Sequence, residues 1–262
     1  MCCCTVAAPL AQVAARKAEL KVWRKESTAE VAASLAVGTP STLNLVTWLA
    51  QDVDFLRDYY DTTSTSAASD GAAAGGGRGQ YEVELNLIIN NAIRQLDVFF
   101  PGNPHSNEKA ERPAIIFDVD ETALTSVPRG RECGFQSISE LEHLWLVSAS
   151  APAIPGVLRL FQWVRENRPE VEIFFLSGRR KKEFHATQFN LKREGFYPYS
   201  RLIVREEVDN YTTMALYKLE QRRELEEQGY TIVATIGDQW SDFDGGHTGY
   251  VVKLPNYLYT IE

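Results

Sequence analysis

The spacing of apolar residues changes along the chain, and these changes predict its secondary structure. Between residues 81 and 100, apolar side chains recur every three or four positions, which is typical of a helix with one buried face. That face consists of Leu85, Ile88, Ile89, Ala92, Leu96 and Phe99, and Pro101 is expected to end the helix. From residue 113 onward, short apolar runs alternate with longer amphipathic stretches, so strands and helices should alternate.

This alternating region predicts five strands with helices between them. The predicted strands are AIIF at 114–117, VEIFFL at 171–176, RLIV at 201–204, TIVATI at 231–236 and YVVKL at 250–254. The predicted helices cover 156–167, 180–195 and 212–229. Such an order predicts an α/β fold with a Rossmann-like, three-layer parallel sheet that carries helices on both faces.

The N-terminal third of the chain carries weaker signals. Residues 1–40 are predicted to be poorly ordered, and the helical spacing over 41–60 predicts an N-terminal helical extension. Residues 62–80 are rich in Ser, Ala and Gly, so this stretch cannot bury enough apolar surface to order itself and is predicted to be a flexible loop. We expect residues 41–262 to form one domain.

Composition excludes several classes of protein. The net charge is −8, which argues against a nucleic-acid partner because such proteins normally carry a basic stripe. A hydrophobic fraction of 44% supports a folded core. No apolar run approaches the roughly 18 residues that a membrane-spanning helix needs, so no transmembrane segment is expected.

The cysteines indicate no disulfide framework. Cys2, Cys3 and Cys4 are adjacent, and Cys133 stands alone. The first charged residue is Arg16, so the N-terminus lacks the basic start of a secretory signal. This favours a cytoplasmic location, although the sequence does not determine the compartment. S-acylation of the three adjacent cysteines is an alternative that the sequence leaves open.

Polar residues follow the predicted strands at the points where the strands end. In open parallel sheets, ligands bind beyond the carboxyl ends of the strands, so these residues are expected to meet at one edge. They are Asp118, Asp120 and Thr122 after the first strand, Ser177, Gly178 and Arg179 after the second, and Asp238 and Asp242 after the fourth. Lys218 lies on the predicted helix over 212–229, between the third and fourth strands.

The first of these motifs has an alternative in calcium binding. Asp118, Asp120 and Thr122 match the start of an EF-hand loop. However, Ala123 stands where that loop needs Gly, and Arg129 stands where it needs a bidentate Glu. The EF-hand interpretation is therefore rejected.

The other motifs also have ordinary structural interpretations. Ser177 precedes a predicted helix and is expected to be its N-cap, although such a helix N-terminus also suits a phosphate. Lys218 lies on an amphipathic helix, where a solvated lysine is the default. Asp238 and Asp242 suit either a capped loop or a hard cation.

Taken together, the order DxDxT, SGR, K and GDxxxD resembles the haloacid dehalogenase superfamily of aspartate-nucleophile phosphotransferases. Longer segments are similar to plant-type, class B-like acid phosphatases and their vegetative storage protein relatives: IIFDVDETALTS, FFLSGRRKKEFHATQFNLKREGF, YKLEQRRELEEQGYTIVATIGDQWSD and VVKLPNYLYTI. The resemblance covers roughly residues 77–262. Residues 123–153 correspond to a small cap-like insertion that lacks the paired tyrosines expected there, which leaves substrate preference open.

The resemblance implies a role for each motif residue. Asp118 would be the nucleophile, Asp120 the general acid and base, and Lys218 the cation that neutralises the transferring phosphate. Mg²⁺ would be held by the Asp118 carboxylate, the Asp120 carbonyl and the Asp238 carboxylate, with Asp242 orienting a metal-bound water. The expected phosphate-binding groups are Ser177, Gly178 and either the Thr122 hydroxyl or backbone amides. Arg179 would either contact the substrate phosphate or brace the loop.

The implied function is a Mg²⁺-dependent acid phosphatase that hydrolyses small phosphomonoesters through an aspartyl phosphate. The alternatives are a storage protein on the same fold with weak or no turnover, and a different phosphotransferase of the superfamily. The presence of Asp118 favours the enzyme, because some storage relatives lack the nucleophilic Asp. A homodimer is left open, and relatives are often vacuolar or secreted.

The sequence also predicts how Lys218 can be distinguished from an ordinary surface lysine. Lys218→Ala is expected to leave stability unchanged while phosphoryl transfer slows sharply. Lys192 and Arg222, which are basic residues on predicted helices outside the motifs, are expected to serve as surface controls.

Overall fold

The structure, a computed structural model, describes residues 55–61, 79–99, 112–135 and 139–261. From Arg57 onward, the described residues belong to one compact unit. The predicted disordered segment and most of the predicted flexible loop lie outside the described residues. Of the predicted helical extension, only residues 55–60 are described, and they are helical.

The helices and strands follow the predicted order. The helices are α1 (Gln80–Phe99), α2 (Val127–Glu132), α3 (Ser139–Ser148), α4 (Pro155–Asn167), α5 (Phe184–Arg193) and α6 (Met214–Glu227). The strands are β1 (Pro113–Phe117), β2 (Glu172–Arg180), β3 (Arg201–Arg205), β4 (Thr231–Gly237) and β5 (Tyr250–Lys253). Two 3-10 turns lie at Lys181–Glu183 and Trp240–Asp242.

The five strands form one sheet in the order β3-β2-β1-β4-β5, and every neighbouring pair is parallel. This confirms the predicted α/β class. Strand β1 lies at the centre, where Phe117 is in register with Phe175 of β2 and with Ile236 of β4. The carboxyl ends of β1 and β4 are therefore neighbours.

Helices cover both faces of the sheet, as predicted. On one face, Ile115 and Phe117 pack with apolar residues of α1, α4 and α5. On the other face, Ala114 and Ile116 pack with Tyr217 and Leu225 of α6. All five residues of β1 are buried, because a central strand of a parallel sheet faces a helical layer on each side.

The local sequence explains where the helices begin and which faces they bury. In α1, the buried residues Leu85, Ile89, Ala92 and Leu96 are those that the three- and four-residue spacing predicts. The Thr213 hydroxyl caps α6 by accepting a hydrogen bond from the Leu216 N–H at 3.1 Å. The predicted stop at Pro101 lies outside the described residues.

Strand β2 is longer than its apolar run predicts. It continues past Leu176 as far as Arg180, and α5 begins only at Phe184. Pairing with β3 resumes at Arg180, which is in register with Arg205. The prediction that Ser177 caps a helix N-terminus is therefore wrong: Ser177 lies within a strand.

Asp209 anchors the loop that follows β3. Its carboxylate accepts hydrogen bonds from Arg205 Nε at 2.8 Å and Nη2 at 2.6 Å, and from Arg180 Nη1 at 2.7 Å. The hydrogen bonds from Arg205, together with the charges of Arg205 and Arg180, lower the pKa of Asp209 to about 2. This carboxylate stabilises the folded state only while it is ionised.

Asp209→Asn is expected to destabilise the protein near neutral pH and to have little effect in strong acid. Because the folded-state pKa is depressed, the stabilisation is fully present above about pH 4 and is lost as the pH falls through about 2. Urea unfolding midpoints of the variant and the wild type, measured across this range, check the expectation. Glu206→Gln is the matched control, because Glu206 pairs with Lys181 at the exposed surface. A midpoint difference that does not depend on pH would contradict the assignment.

Candidate active site

Three buried carboxylates converge at the carboxyl ends of β1 and β4. The residues are Asp118, Asp238 and Asp242, and one carboxylate oxygen from each lies within 4.8 Å of the others. Gly237 permits this approach, since a Cβ at that position would lie 2.2 Å from Asp242 Oδ2. Asp120 contributes no side-chain oxygen to this cluster.

Lys218 supplies positive charge to the cluster. Its Nζ donates to Asp118 Oδ1 at 2.7 Å and also to Asp242 Oδ1. The residue is only 5% exposed, so it is not the solvated helix lysine that its local sequence suggests. Burial by itself lowers the pKa of Lys218, but Asp118 and Asp242 together raise it above its ordinary value. The ammonium group therefore stays charged.

Lys218 contacts two of the three carboxylates, so its single positive charge does not balance all three acids. Burial raises the pKa of Asp118 well above its ordinary value; Lys218 opposes this rise, and Asp242 and Asp238 add to it. A set of hard oxygen ligands with surplus negative charge suits a divalent cation such as Mg²⁺. In the part of the chain that the structure describes, this is the group of acids close enough to hold such an ion.

Asp238 is oriented by three side chains. The Thr122 hydroxyl donates to Oδ1 at 3.1 Å, while Gln239 Nε2 and Asn256 Nδ2 donate to Oδ2 at 2.5 and 2.7 Å. Thr122 was expected to bind phosphate, but its hydroxyl is engaged with a carboxylate. Hydrogen bonds of this kind hold a metal-binding carboxylate in place.

The C-terminal residues reach the site through Gln239. Its Oε1 accepts a hydrogen bond from the Ile261 N–H at 3.1 Å, and its Nε2 also donates to the Tyr259 carbonyl at 3.4 Å. Asn256 belongs to the same segment. The segment that follows β5 therefore helps to hold Asp238.

Asp120 is held by Arg179 rather than by the acid cluster. The guanidinium donates to the two Asp120 carboxylate oxygens, with Nη2 to Oδ1 at 2.7 Å and Nε to Oδ2 at 3.0 Å, and Nη1 donates to the Thr187 hydroxyl at 3.0 Å. The Arg179 side chain is 3% exposed, whereas that of Asp120 is 38% exposed. The structure thus gives Arg179 a positioning contact with Asp120, and Asp120 is accessible to solvent.

Ser177 and Gly178 lie next to this ion pair. The Ser177 hydroxyl is buried and accepts a hydrogen bond from the Arg179 N–H at 3.1 Å. A Cβ at Gly178 would lie 2.6 Å from Met214 Cε, so the glycine lets the first residue of α6 pack against β2. Ser177 lies in the last half of β2, three residues before its carboxyl end, beside the Arg179–Asp120 pair.

Glu121 closes the loop that leads into the cap-like segment. Its buried carboxylate accepts hydrogen bonds from the Ser126 N–H at 2.5 Å, the Ser126 hydroxyl at 2.6 Å and the Thr125 hydroxyl at 2.8 Å. Burial raises its pKa to about 7, although these hydrogen bonds act in the opposite direction. Leu124 and Ala153 form a β-bridge, which brings the two ends of the cap-like segment together.

The sequence did not reveal the role of Arg222. The side chain is fully buried, so the prediction that Arg222 could serve as a surface control is wrong. The one available signal was its spacing: Arg222 follows Lys218 by four residues and so lies on the same face of α6. Lys192 is exposed, as predicted.

With this geometry in place, comparison with known proteins identifies the family. The family described as HAD superfamily, subfamily IIIB (acid phosphatase) matches residues 71–262. The chain belongs to this family.

Relatives of the chain include both an enzyme and a storage protein. Acid phosphatase 1 of Solanum lycopersicum is 36% identical over 188 residues, which cover 69% of this chain and 69% of that protein. Vegetative storage protein 2 of Arabidopsis thaliana is 36% identical over 231 residues, which cover 87% of this chain and 78% of that protein. The matches to the first three curated relatives span 61%, 69% and 51% of their lengths.

A solved structure supports the fold. The class C acid phosphatase from Bacillus anthracis superimposes with a TM-score of 0.58 at 21% identity, covering 81% of this chain and 86% of that one. At this level of identity the likeness concerns the fold alone. None of the helices in the described ranges has the length and apolar character needed to cross a membrane.

Proposed function

We propose that this protein is a Mg²⁺-dependent acid phosphatase that hydrolyses small phosphomonoesters through an aspartyl phosphate on Asp118. The observation that carries the proposal is the position of Asp118 at the end of the central strand, in contact with Lys218 and within 4.8 Å of two other buried acids. Membership of the acid phosphatase family supports the same reaction class.

Asp118 and Asp238 would hold Mg²⁺ directly and Asp242 would hold it through a bound water, with the Asp120 carbonyl as a further predicted ligand. Mg²⁺ prefers oxygen ligands and retains several of its waters, so few protein groups are needed. When bound, the ion supplies positive charge that reduces the repulsion between an anionic nucleophile and an anionic phosphate.

In the first half of the reaction, a carboxylate oxygen of Asp118 attacks phosphorus while the bond from phosphorus to the ester oxygen breaks. Lys218 offsets the negative charge that gathers at this point. Asp120, which Arg179 holds in place, donates a proton to the departing alkoxide. Help of this acid–base kind is typically worth about 10²–10⁴-fold in rate.

In the second half, water attacks the phosphorus of the aspartyl phosphate. Asp120, now ionised, accepts the proton of that water, and Asp118 leaves as a free carboxylate. Inorganic phosphate is released and both acids return to their starting states. Ser177 and Gly178 remain as candidates for a direct phosphate contact, since the Thr122 hydroxyl and the Arg179 guanidinium are engaged elsewhere.

The storage alternative rests on the similarity to vegetative storage protein 2, which extends over 87% of this chain. A protein of that kind could keep the fold with weak or no turnover. The presence of Asp118, Lys218, Asp238 and Asp242 together favours the enzyme, because a storage role does not require charged residues to be buried around one point.

Steady-state hydrolysis of a panel of phosphomonoesters tests the proposal. We expect turnover in the presence of Mg²⁺ and its loss on chelation, with recovery when Mg²⁺ is added back. If chelation does not affect turnover, the reaction does not require Mg²⁺, and that part of the proposal is wrong. If no ester is hydrolysed at any Mg²⁺ concentration, the proposed phosphatase activity is wrong.

A further inference from the structure

Arg222 is a fully buried cation that contacts backbone rather than carboxylates. Its Nε donates to the Gly246 carbonyl at 3.0 Å, its Nη1 donates to the Asp242 carbonyl at 2.5 Å, and its Nη2 donates to the Asp244 carbonyl. Through these hydrogen bonds, the guanidinium group links three carbonyls of one loop to helix α6. Burying a charge is costly unless it is well hydrogen-bonded, so such a residue needs a reason beyond packing.

The loop it holds has a backbone suited to this contact. Gly245 and Gly246 both have a φ of +81°, in the left-handed region that favours glycine. This turn folds residues 242–246 back towards α6, where their carbonyls meet Arg222. The loop begins at Asp242, one of the three acids of the cluster.

Helix α6 thus holds Asp242 at two points. Lys218 contacts the carboxylate and Arg222 contacts the carbonyl of the same residue. The two basic residues are four positions apart, which places them one above the other on the helix. A third contact comes from the Gln239 N–H, which donates to Asp242 Oδ2 at 2.8 Å.

We propose that Arg222 is a positioning residue for the metal site. By fixing the backbone of Asp242, it sets the distance of that carboxylate from Asp118 and Asp238, and so it sets the affinity for Mg²⁺. This inference rests on the proposed function, since it takes the three acids to be the metal site. A residue that served only the stability of the loop would leave metal affinity in the folded protein unchanged.

The test uses calorimetry to measure the binding of Mg²⁺ alone to metal-free protein. Three proteins are compared: the wild type, Arg222→Lys and Arg223→Lys. A lysine at position 222 keeps the positive charge, but its single ammonium group cannot contact all three carbonyls that the guanidinium contacts. Arg223 is the matched control, because it is the next residue on the helix and its side chain is 49% exposed. Circular dichroism verifies the fold of each variant before titration.

We expect Arg222→Lys to bind Mg²⁺ about 10- to 100-fold more weakly, as is typical when a group that orients a metal ligand is changed. Arg223→Lys should match the wild type. Addition of guanidinium ion to Arg222→Ala should strengthen Mg²⁺ binding, and this second measurement decides the matter if the lysine variant does not fold.

The outcomes separate this inference from the proposed function. If the wild type and a folded Arg222 variant bind Mg²⁺ equally, or if guanidinium fails to strengthen binding to Arg222→Ala, the positioning role is wrong and the proposed function stands. If the wild type itself binds no Mg²⁺, the proposed metal site is wrong as well.

Discussion

Asp118→Asn is expected to reduce kcat by roughly 10⁴- to 10⁶-fold, the range seen when an enzyme loses a residue of its nucleophilic machinery. An amide neither attacks phosphorus nor binds Mg²⁺ as a carboxylate does. The folded state should be preserved, and in metal-free buffer the melting temperature should equal or exceed that of the wild type. The reason is that Asp118 is one of three buried acids facing one cation, so removing its charge relieves repulsion.

Asp244→Asn provides the matched control for this experiment. Asp244 is an exposed aspartate two residues after Asp242, and only its backbone carbonyl takes part in the contacts described above. We expect its kcat and melting temperature to match the wild type. Retained steady-state phosphatase activity in purified Asp118→Asn would contradict the assignment of the nucleophile.

Lys218→Met is expected to reduce kcat by about 10²- to 10³-fold, comparable to the loss of one donor that stabilises developing charge. The structure also corrects the expectation that stability would be unaffected. Lys218 is buried between Asp118 and Asp242, so its loss leaves two buried carboxylates without their cation. Breaking a buried pair in this way costs on the order of 3–5 kcal/mol, and saturating Mg²⁺ should recover part of it.

Lys192→Ala and Arg223→Ala are the appropriate controls for Lys218→Met. Lys192 is exposed on α5, and Arg223 lies on α6 itself with half of its side chain in solvent. Both variants should retain normal kinetics and stability within about 0.5 kcal/mol. Chemical denaturation and steady-state kinetics on the same preparations provide the comparison. If Lys218→Met matches these controls in kcat, another cation must neutralise the negative charge of the transferring phosphate.

The central strands of the sheet could be predicted from the sequence because they are buried on both faces. Such strands appear in the sequence as short runs of mainly apolar residues, as in AIIF of β1 and TIVATI of β4. The meeting of Asp118 and Asp238 was also predictable, since the two acids follow strands of one parallel sheet and carboxyl ends share an edge. Lys218 was predictable only through its place in a motif, because nothing in the helix around it distinguishes it from a solvated lysine.

The parts that could not be predicted depend on contacts between distant residues. Strand β2 extends to Arg180 because pairing with Arg205 and Asp209 holds it there, and neither residue lies near it in the sequence. The burial of Arg222 depends on a loop that folds back after β4. The partner of the Thr122 hydroxyl is fixed only when β1 and β4 are side by side.

The central claim is that Asp118 becomes phosphorylated during turnover, and trapping that intermediate tests it most directly. Protein quenched during steady-state hydrolysis is treated with borohydride, which reduces an aspartyl phosphate to homoserine, and the peptide that contains residue 118 is sequenced by mass spectrometry. We predict homoserine at position 118 when both substrate and Mg²⁺ are present, and none when either is omitted. Sustained turnover with aspartate intact at position 118, or modification at a different residue, would contradict the proposed mechanism.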